Sequence, residues 1–323
     1  MCASVDNPEP FNPAKSAAAS PSEQSKGAVR LPSMLSEAPG FFVWFVGMAA
    51  IYAGLIAAMI LADLKYALDL DSVSVDAIGG AFRRLWAEVA KPEILFSIRL
   101  TLITCTLSAL LSVFFAIPIA YLLSRHRFPL RSVFDALLDI PIVLPPLVIG
   151  LSLLILFHQV NVFGDTIEEW CERIFGTGVT FRVPAVVLAQ FTVACAFAIR
   201  AVKATMDQIN PRPEQVALTL GCTRASAFWM VLLPQCWRGV LTGGTLAWAR
   251  ALGEFGPILV FAGATRGRTE VLSTSVFLEI NIGNLRGAVA VSLLMIVLAI
   301  AVILIIRGAG SRSVWASEEG RAH

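Results

Sequence analysis

The chain has 323 residues, of which 57% are hydrophobic and only 15% charged, and its formal net charge is +2. Soluble globular proteins carry about 45–50% apolar and about 25% charged residues, so this excess is more than one aqueous core accommodates and points to lipid as the solvent. A net charge so close to zero gives no basic field for nucleic acid. The six cysteines form no CxxC pair and the three histidines share no ligand spacing, which argues against a disulfide framework or a metal site.

Residues 1–40 are rich in Ala, Ser and Pro and show no apolar periodicity, which predicts a disordered tail. No signal peptide is expected. The first apolar run starts near Phe41 and exceeds an h-region of about 7–15 residues, so it should stay as an anchor. Runs of about 20 apolar residues then predict spans at Phe41–Leu64, Ser97–Ser124, Ala136–Phe157, Pro184–Met206, Gly239–Gly263 and Ala288–Arg307. The fold class is therefore all-α integral membrane, with about six transmembrane helices. The stretch Leu272–Ile282 is apolar but short, and is either re-entrant or part of an outer loop. Residues 308–323 read as a cytoplasmic tail. A modest Lys/Arg excess on the loops holding Arg125, Arg127, Arg131, Lys203, Arg212 and Arg224 places the N-terminus in the cytoplasm.

Several features inside the spans bear on mechanism. Pro141, Pro145 and Pro146 remove backbone donors from the third span and predict a kink or break, tolerated only beside protein or a water-filled path. Arg250 and Glu254 stand at i, i+4 in the fifth span. A lone charge at bilayer centre costs at least ~2.5–3.5 kcal/mol, so the two are expected to pair, as a packing device or as part of an anion path or gate. Thr242 and Thr245 lie on the same span beside Gly243 and Gly244, where small residues let helices approach closely and the hydroxyls can donate hydrogen bonds. Arg99 and Arg200 are expected to snorkel toward an interface.

The loop 207–236 carries the most information. Asn210-Pro211-Arg212-Pro213 opens a helix of about two turns, and Gly221 closes it in a left-handed turn. Thr223 then caps a second helix expected to run to Leu233-Pro234. A helix this short is marginal in water. Its apolar positions Val216, Ala217 and Leu220 suit either a groove on a partner or the membrane surface.

The segment Gln215–Pro234 resembles the EAA loop of ABC-importer permeases: Gly221 and Leu233-Pro234 keep its spacing, and Ala217 holds its third position. Gln215 and Val216 depart from its first two positions, which removes a carboxylate contact but leaves the helix-turn-helix geometry. Ala249-Arg250-Ala251-Leu252-Gly253-Glu254-Phe255-Gly256-Pro257, with Phe261-Ala262-Gly263 and Arg268-Thr269-Glu270-Val271-Leu272, is similar to the fifth-span signature of molybdate, tungstate and sulfate permeases. Pro141–Pro146, Ala189-Gln190 and Phe197–Arg200 resemble the third and fourth spans of that family.

The resemblance covers residues 97–307. It implies a type I ABC importer permease fold with a cytoplasmic coupling helix, in a multi-pass protein of the inner membrane. The ATPase-coupling residues are then Gln215, Val216, Ala217, Gly221, Leu233 and Pro234; Arg250, Glu254, Pro145, Pro146, Thr242 and Thr245 belong to the pathway or gate. It further implies a homodimer in membrane lipid, two cytoplasmic ATPase subunits that hold ATP-Mg, and a periplasmic oxyanion-binding protein. The cargo expected first is molybdate, with tungstate or sulfate as alternatives. The chain has no GxxxxGK[ST] and so no nucleotide site or cofactor of its own, and it is not an enzyme. A channel or secondary transporter predicts ionisable residues spread through several spans and an inverted repeat, and neither is evident.

Overall fold

The computed structural model describes residues 39–68, 80, 83, 86–162 and 164–319, so the tail expected over 1–40 lies almost wholly outside the described residues. The chain divides into two units, residues 1–59 and 60–323. The first holds most of helix α1 (Pro39–Leu68), whose window Val43–Ala67 has a mean hydropathy of 2.3.

In the second unit three helices form the core. These are α2 (Pro92–Arg125), α6 (Val183–Gln208) and α9 (Leu233–Leu252). They meet through small side chains: Cys105, Ala109, Ala116 and Ala120 of α2, Ala194 and Ala198 of α6, and Cys236, Ala247 and Ala251 of α9. Small residues let helix backbones approach closely where lipid gives no hydrophobic drive for association. A buried seam of Ser97, Thr101, Thr104, Ser108 and Ser112 runs down α2. Its hydroxyls bond within the helix and across it, Ser108 Oγ reaching Val187 O at 3.0 Å. At about 1.5 Å per residue, the 34 residues of α2 exceed a ~30 Å hydrocarbon layer, so the helix protrudes.

The predicted third span is broken. α3 (Arg131–Val143) and α4 (Pro146–Gln159) meet at 111° across Leu144-Pro145. Pro141 is carried inside α3, whereas Pro146 opens α4, where its missing N–H costs nothing. A two-residue antiparallel ribbon (β1 Asn161–Val162, β2 Asp165–Thr166) leads into α5 (Ile167–Phe175). α5 is closed at its start by a capping box between Thr166 and Glu169. Neither the ribbon nor α5 was legible from hydropathy.

The loop 207–236 folds into α7 (Arg212–Thr219) and α8 (Arg224–Ala227). Gly221 sits at φ +93°, the left-handed turn expected of it, and Thr223 Oγ1 accepts from Ser226 N. The second helix does not stop at Leu233-Pro234. α8 passes through a π-turn, Phe228–Leu232, straight into α9: Leu233 N bonds back to Phe228 O, and the wide turn takes in the donor that Pro234 lacks.

The predicted span Gly239–Gly263 is not continuous either. α9 stops at Leu252, the chain opens through Gly253–Pro257, and a π-turn Ile258–Ala262 follows. The stretch Leu272–Ile282 becomes α10 (Leu272–Asn281), about 15 Å long and unable to cross a bilayer. It is not a loop: Leu272, Thr274, Ser275 and Glu279 are buried, and Leu272 N donates to Thr101 Oγ1 of α2 at 2.9 Å. α11 runs Leu285–Glu319, so the tail expected from 308 onward continues the helix as far as Glu319. Among the described residues four helices are long and apolar enough to cross a membrane, or five if the bent pair α3–α4 counts as one.

Candidate functional site

Two places concentrate polar chemistry, one at each end of α9. The first is α7. The side chains of Gln215, Val216 and Leu220 are exposed, and Ala217 is half-buried. Glu214 faces the other way. Its carboxylate accepts from the Tyr121 hydroxyl of α2 at 2.7 Å and pairs with Arg125 at 3.4 Å. Arg125 also donates to Ile209 O, just beyond α6, at 3.0 Å. Arg224, at the start of α8, reaches His126 Nε2 at 3.2 Å. The helix is thus braced from behind, and its outer face shows Val216 and Leu220. Leu233 is half-buried and Pro234 exposed.

The second place lies some 17 residues along α9, about 25 Å away at 1.5 Å per residue. Arg250 and Glu254 form an ion pair, with Glu254 1% exposed and Arg250 28% exposed. The Arg250 guanidinium stands 5.7 Å from the centre of the Phe197 ring, within cation–π reach. The opened backbone around it is satisfied from neighbouring elements. Ser273 Oγ donates to Glu254 O at 2.7 Å, and Gln190 Nε2 donates to Ala251 O at 3.3 Å while Gln190 Oε1 accepts from Ser108 Oγ. Gln190 therefore adds a side-chain donor from α6 to a C-terminal carbonyl of α9 that also accepts from Glu254 N at 3.2 Å.

The two broken helices meet here. A Cβ on Gly256 would lie 3.0 Å from Leu147 N and from Pro146 Cβ, and one on Gly150 would lie 2.7 Å from Pro257 Cα. Pro145 and Pro146 are thus brought against the Gly253–Pro257 opening, at the far end of the 20 residues of α9, about five and a half turns from Leu233. Thr242 and Thr245 lie between. Their hydroxyls donate to Arg238 O (2.9 Å) and Leu241 O (2.8 Å) of their own helix.

Arg200 does not snorkel. It pairs with Asp139 and with Asp135 of α3, and Lys203 reaches Asp135 at 3.8 Å, so α3 is held on α6 by charge. Arg99 is exposed. Sequence reading missed Tyr121, Glu214, Asp135 and Asp139. Their one signal was spacing: Asp135 and Asp139 stand i, i+4 on a short amphipathic helix, as Arg200 and Lys203 stand i, i+3 on theirs.

Comparison with known proteins agrees with this architecture. The family described as "Binding-protein-dependent transport system inner membrane component" matches residues 112–314. The molybdenum transport system permease protein ModB of Mycobacterium tuberculosis is 35% identical over 230 residues, 71% of this chain and 84% of that protein. The sulfate transport system permease protein CysT of Escherichia coli is 29% identical over 74% of this chain and 83% of its own length, and ModB of Escherichia coli is 32% identical over 65% and 90%. A bacterial alginate ABC transporter, solved in complex with an alginate pentasaccharide-bound periplasmic protein, shares the fold with a TM-score of 0.59 at 16% identity, covering 86% of this chain and 97% of that one. A short braced helix at one end of the core and two facing helix breaks at the other belong to a chain that is a member of the binding-protein-dependent transport system inner membrane component family, the membrane-embedded permease subunit of an ABC importer.

Proposed function

We propose that this permease carries a tetrahedral oxyanion, with molybdate as its cargo, across the inner membrane into the cytoplasm. Two copies form the path, and two separate ATPase subunits, which hold ATP-Mg, dock on the two α7 helices. A periplasmic anion-binding protein delivers the cargo, and the N-terminus lies on the ATPase side. The observation that carries the reading is α7 itself: Val216 and Leu220 are exposed, at 55% and 80%, while Glu214 is locked to Tyr121 and Arg125 behind them. An exposed apolar face on a short helix has a purpose if a partner's groove receives it. The cargo reading rests on the molybdenum-transport relatives at 35% and 32% identity.

The mechanism follows from the bracing. A displacement of α7 by its partner is passed to α2 through Tyr121 and Arg125, to the end of α6 through the Arg125–Ile209 bond, and along α8 and the π-turn into α9. α9 ends at the Gly253–Pro257 opening, where the Arg250–Glu254 pair and the Pro145-Pro146 corner meet. Rigid helices hinged at such openings convert a push at one membrane face into a change of access at the other. The Arg250 charge is already matched by Glu254, so it offers an anion a shallow well and permits release.

Uptake decides the cargo. In cells lacking their own oxyanion importers, expression of this chain with its ATPase and binding protein should restore molybdate accumulation, measured by elemental analysis. Uptake of sulfate with no uptake of molybdate would replace molybdate by sulfate. Uptake of neither, nor of tungstate, would remove the oxyanion reading.

A further inference from the structure

We infer that a cavity at the end of α6 remote from α7 is an entry site for a tetrahedral oxyanion dianion, held between Arg182 and Arg268. The inference rests on the oxyanion reading above and adds a place where the permease itself meets its cargo. The cavity measures about 540 Å³ and is lined by Thr180, Phe181, Arg182, Val183, Arg268 and Thr269. Arg182 immediately precedes α6 and Arg268 lies in the connection before α10. Two distant stretches of chain therefore bring one cation each to one hollow.

Both arginines are exposed, and among the described residues neither guanidinium has a carboxylate or hydrogen-bond partner. Four other arginines of the folded unit are already engaged, Arg125 with Glu214, Arg200 with Asp139, Arg250 with Glu254, and Arg266 with Glu93 and Glu279, whereas these two share one hollow with their charges unmatched. The Glu168 carboxylate of α5 is spent on the backbone amides of Val179 and Thr180 (2.8 and 3.1 Å), the second of which lines the cavity, and it pairs with neither arginine. Two free guanidinium groups match a tetraoxo dianion in charge, and each planar fork matches two of its oxygens.

The surrounding wall is built to hold its shape. Thr269 is buried, accepts from Thr265 N at 3.2 Å and donates to Gly263 O at 2.9 Å. Phe181 is held in the left-handed region at φ +56°, a strained setting for a bulky residue, with its N–H on Phe261 O. That twist makes Phe181 the shared wall between this cavity and a smaller one of about 290 Å³ lined by Leu154, Ile155, His158 and Gln159. With liquid water at ~30 Å³ per molecule, the larger cavity of about 540 Å³ has room for roughly eighteen waters, so an anion sits there partly hydrated and leaves readily. The 26 residues of α6 put this cavity about 39 Å from the α7 end, which places it on the face the cargo enters.

The test uses the purified complete importer in detergent, without binding protein. Equilibrium dialysis against molybdate, with sulfate as competitor, should show saturable binding. R182Q and R268Q should each weaken it about tenfold, the double variant should abolish it, and R182K should retain most of it. Uptake of molybdate from the loaded binding protein should fall in the same order while assembly is unchanged. Intact wild-type uptake with no saturable binding, or with binding unaltered in the double variant, overturns the entry site and leaves the oxyanion reading standing. If the double variant instead loses affinity for the anion-free binding protein while free molybdate binds as before, the arginines receive a protein carboxylate and the inference is wrong. A wild-type importer that moves none of the three oxyanions sinks the reading beneath it.

Discussion

Tyr121 of α2 donates its hydroxyl to Glu214 of α7 over 2.7 Å, and the two residues are 93 positions apart in the chain. This bond, with the Arg125 pair beside it, joins the helix offered to a partner to the longest helix of the core.

Breaking that link should separate energy use from transport. Both side chains of the Arg125–Glu214 pair are only 12–13% exposed, so solvent screens them little. A hydrogen bond to a charged group is worth about 1.5–3 kcal/mol. Y121F and E214Q should assemble normally, hydrolyse ATP in response to loaded binding protein, and import several-fold less cargo per ATP. The ratio of uptake to hydrolysis in proteoliposomes measures this. An unchanged ratio in both variants would show that α7 transmits force by another route.

The junction of the broken helices admits no methyl group. G150A sets a Cβ 2.7 Å from Pro257 Cα, and G256A sets one 3.0 Å from Leu147 N, in both cases against backbone that cannot swing aside. Overpacking of this kind costs about 1–3 kcal/mol. G253A meets only carbonyl oxygens at 3.9 and 4.0 Å. Thermal unfolding in detergent should rank G253A near wild type, G256A lower and G150A lowest.

Removing Arg250 alone should be worse than removing its whole pair. Glu254 is 1% exposed, and neither of its oxygens has a hydrogen-bond partner apart from the Arg250 ion pair. Stripping one partner from a buried pair costs about 3–5 kcal/mol because a bare charge remains. R250A should lower yield and thermal stability sharply, and R250A/E254Q should recover much of both. Size-exclusion profiles and melting curves of the three proteins test the order.

Glu270 supplies a pH dependence. It lies outside the spanning helices, in the turn before α10, and burial pushes its pKa up from the ordinary value of 4.5. Ser275 and Arg266 pull it back down, while Glu93 and Glu279 push it further up. The Ser275 hydroxyl is spent on Val271 O (3.1 Å) and Ser97 Oγ (3.2 Å), and both Glu270 oxygens are buried without a hydrogen-bond partner. A carboxyl raised in the folded state holds its proton more tightly there than in the unfolded chain. Its stabilising contribution is therefore complete below pH 4.5 and is lost as pH rises through the folded value. E270Q should melt close to wild type near pH 4.5 and above it at pH 8, with the gap widening between. A gap that is constant with pH would mean that Glu270 stays charged in the fold.

The apolar content and the helical class were readable because hydropathy acts locally and in bulk. Gly221 and Thr223 were readable for a related reason: caps are short-range chemistry, and both sit where that chemistry demands. The places that failed are those where the chain's own pattern was overruled by neighbours. Gly239–Gly263 reads as one apolar run, yet it opens at Gly253, where Ser273 and Gln190, from elsewhere in the chain, donate to Glu254 O and Ala251 O. Leu233-Pro234 reads as a stop, yet Pro234 follows directly on the π-turn, whose wider hydrogen-bond spacing carries the helix past it. Arg200 reads as a snorkelling side chain until α3 is folded back to present Asp135 and Asp139. Single-sequence patterns carry no record of partners 61 residues distant.

The π-turn at Phe228–Leu232 sets a phase. Each residue added to or taken from a helix turns everything beyond it by about 100°. The direction in which Thr242, Arg250 and the opening at Gly253 face, relative to α7, is therefore decided within those five residues. Deleting one of them would leave hydropathy, length and caps almost untouched, yet would swing Arg250 away from Phe197 and from the face it shares with α6. The short wide turn is the dial that keeps the two ends of α9 in rotational agreement, so that a push at one end meets the right side chains at the other.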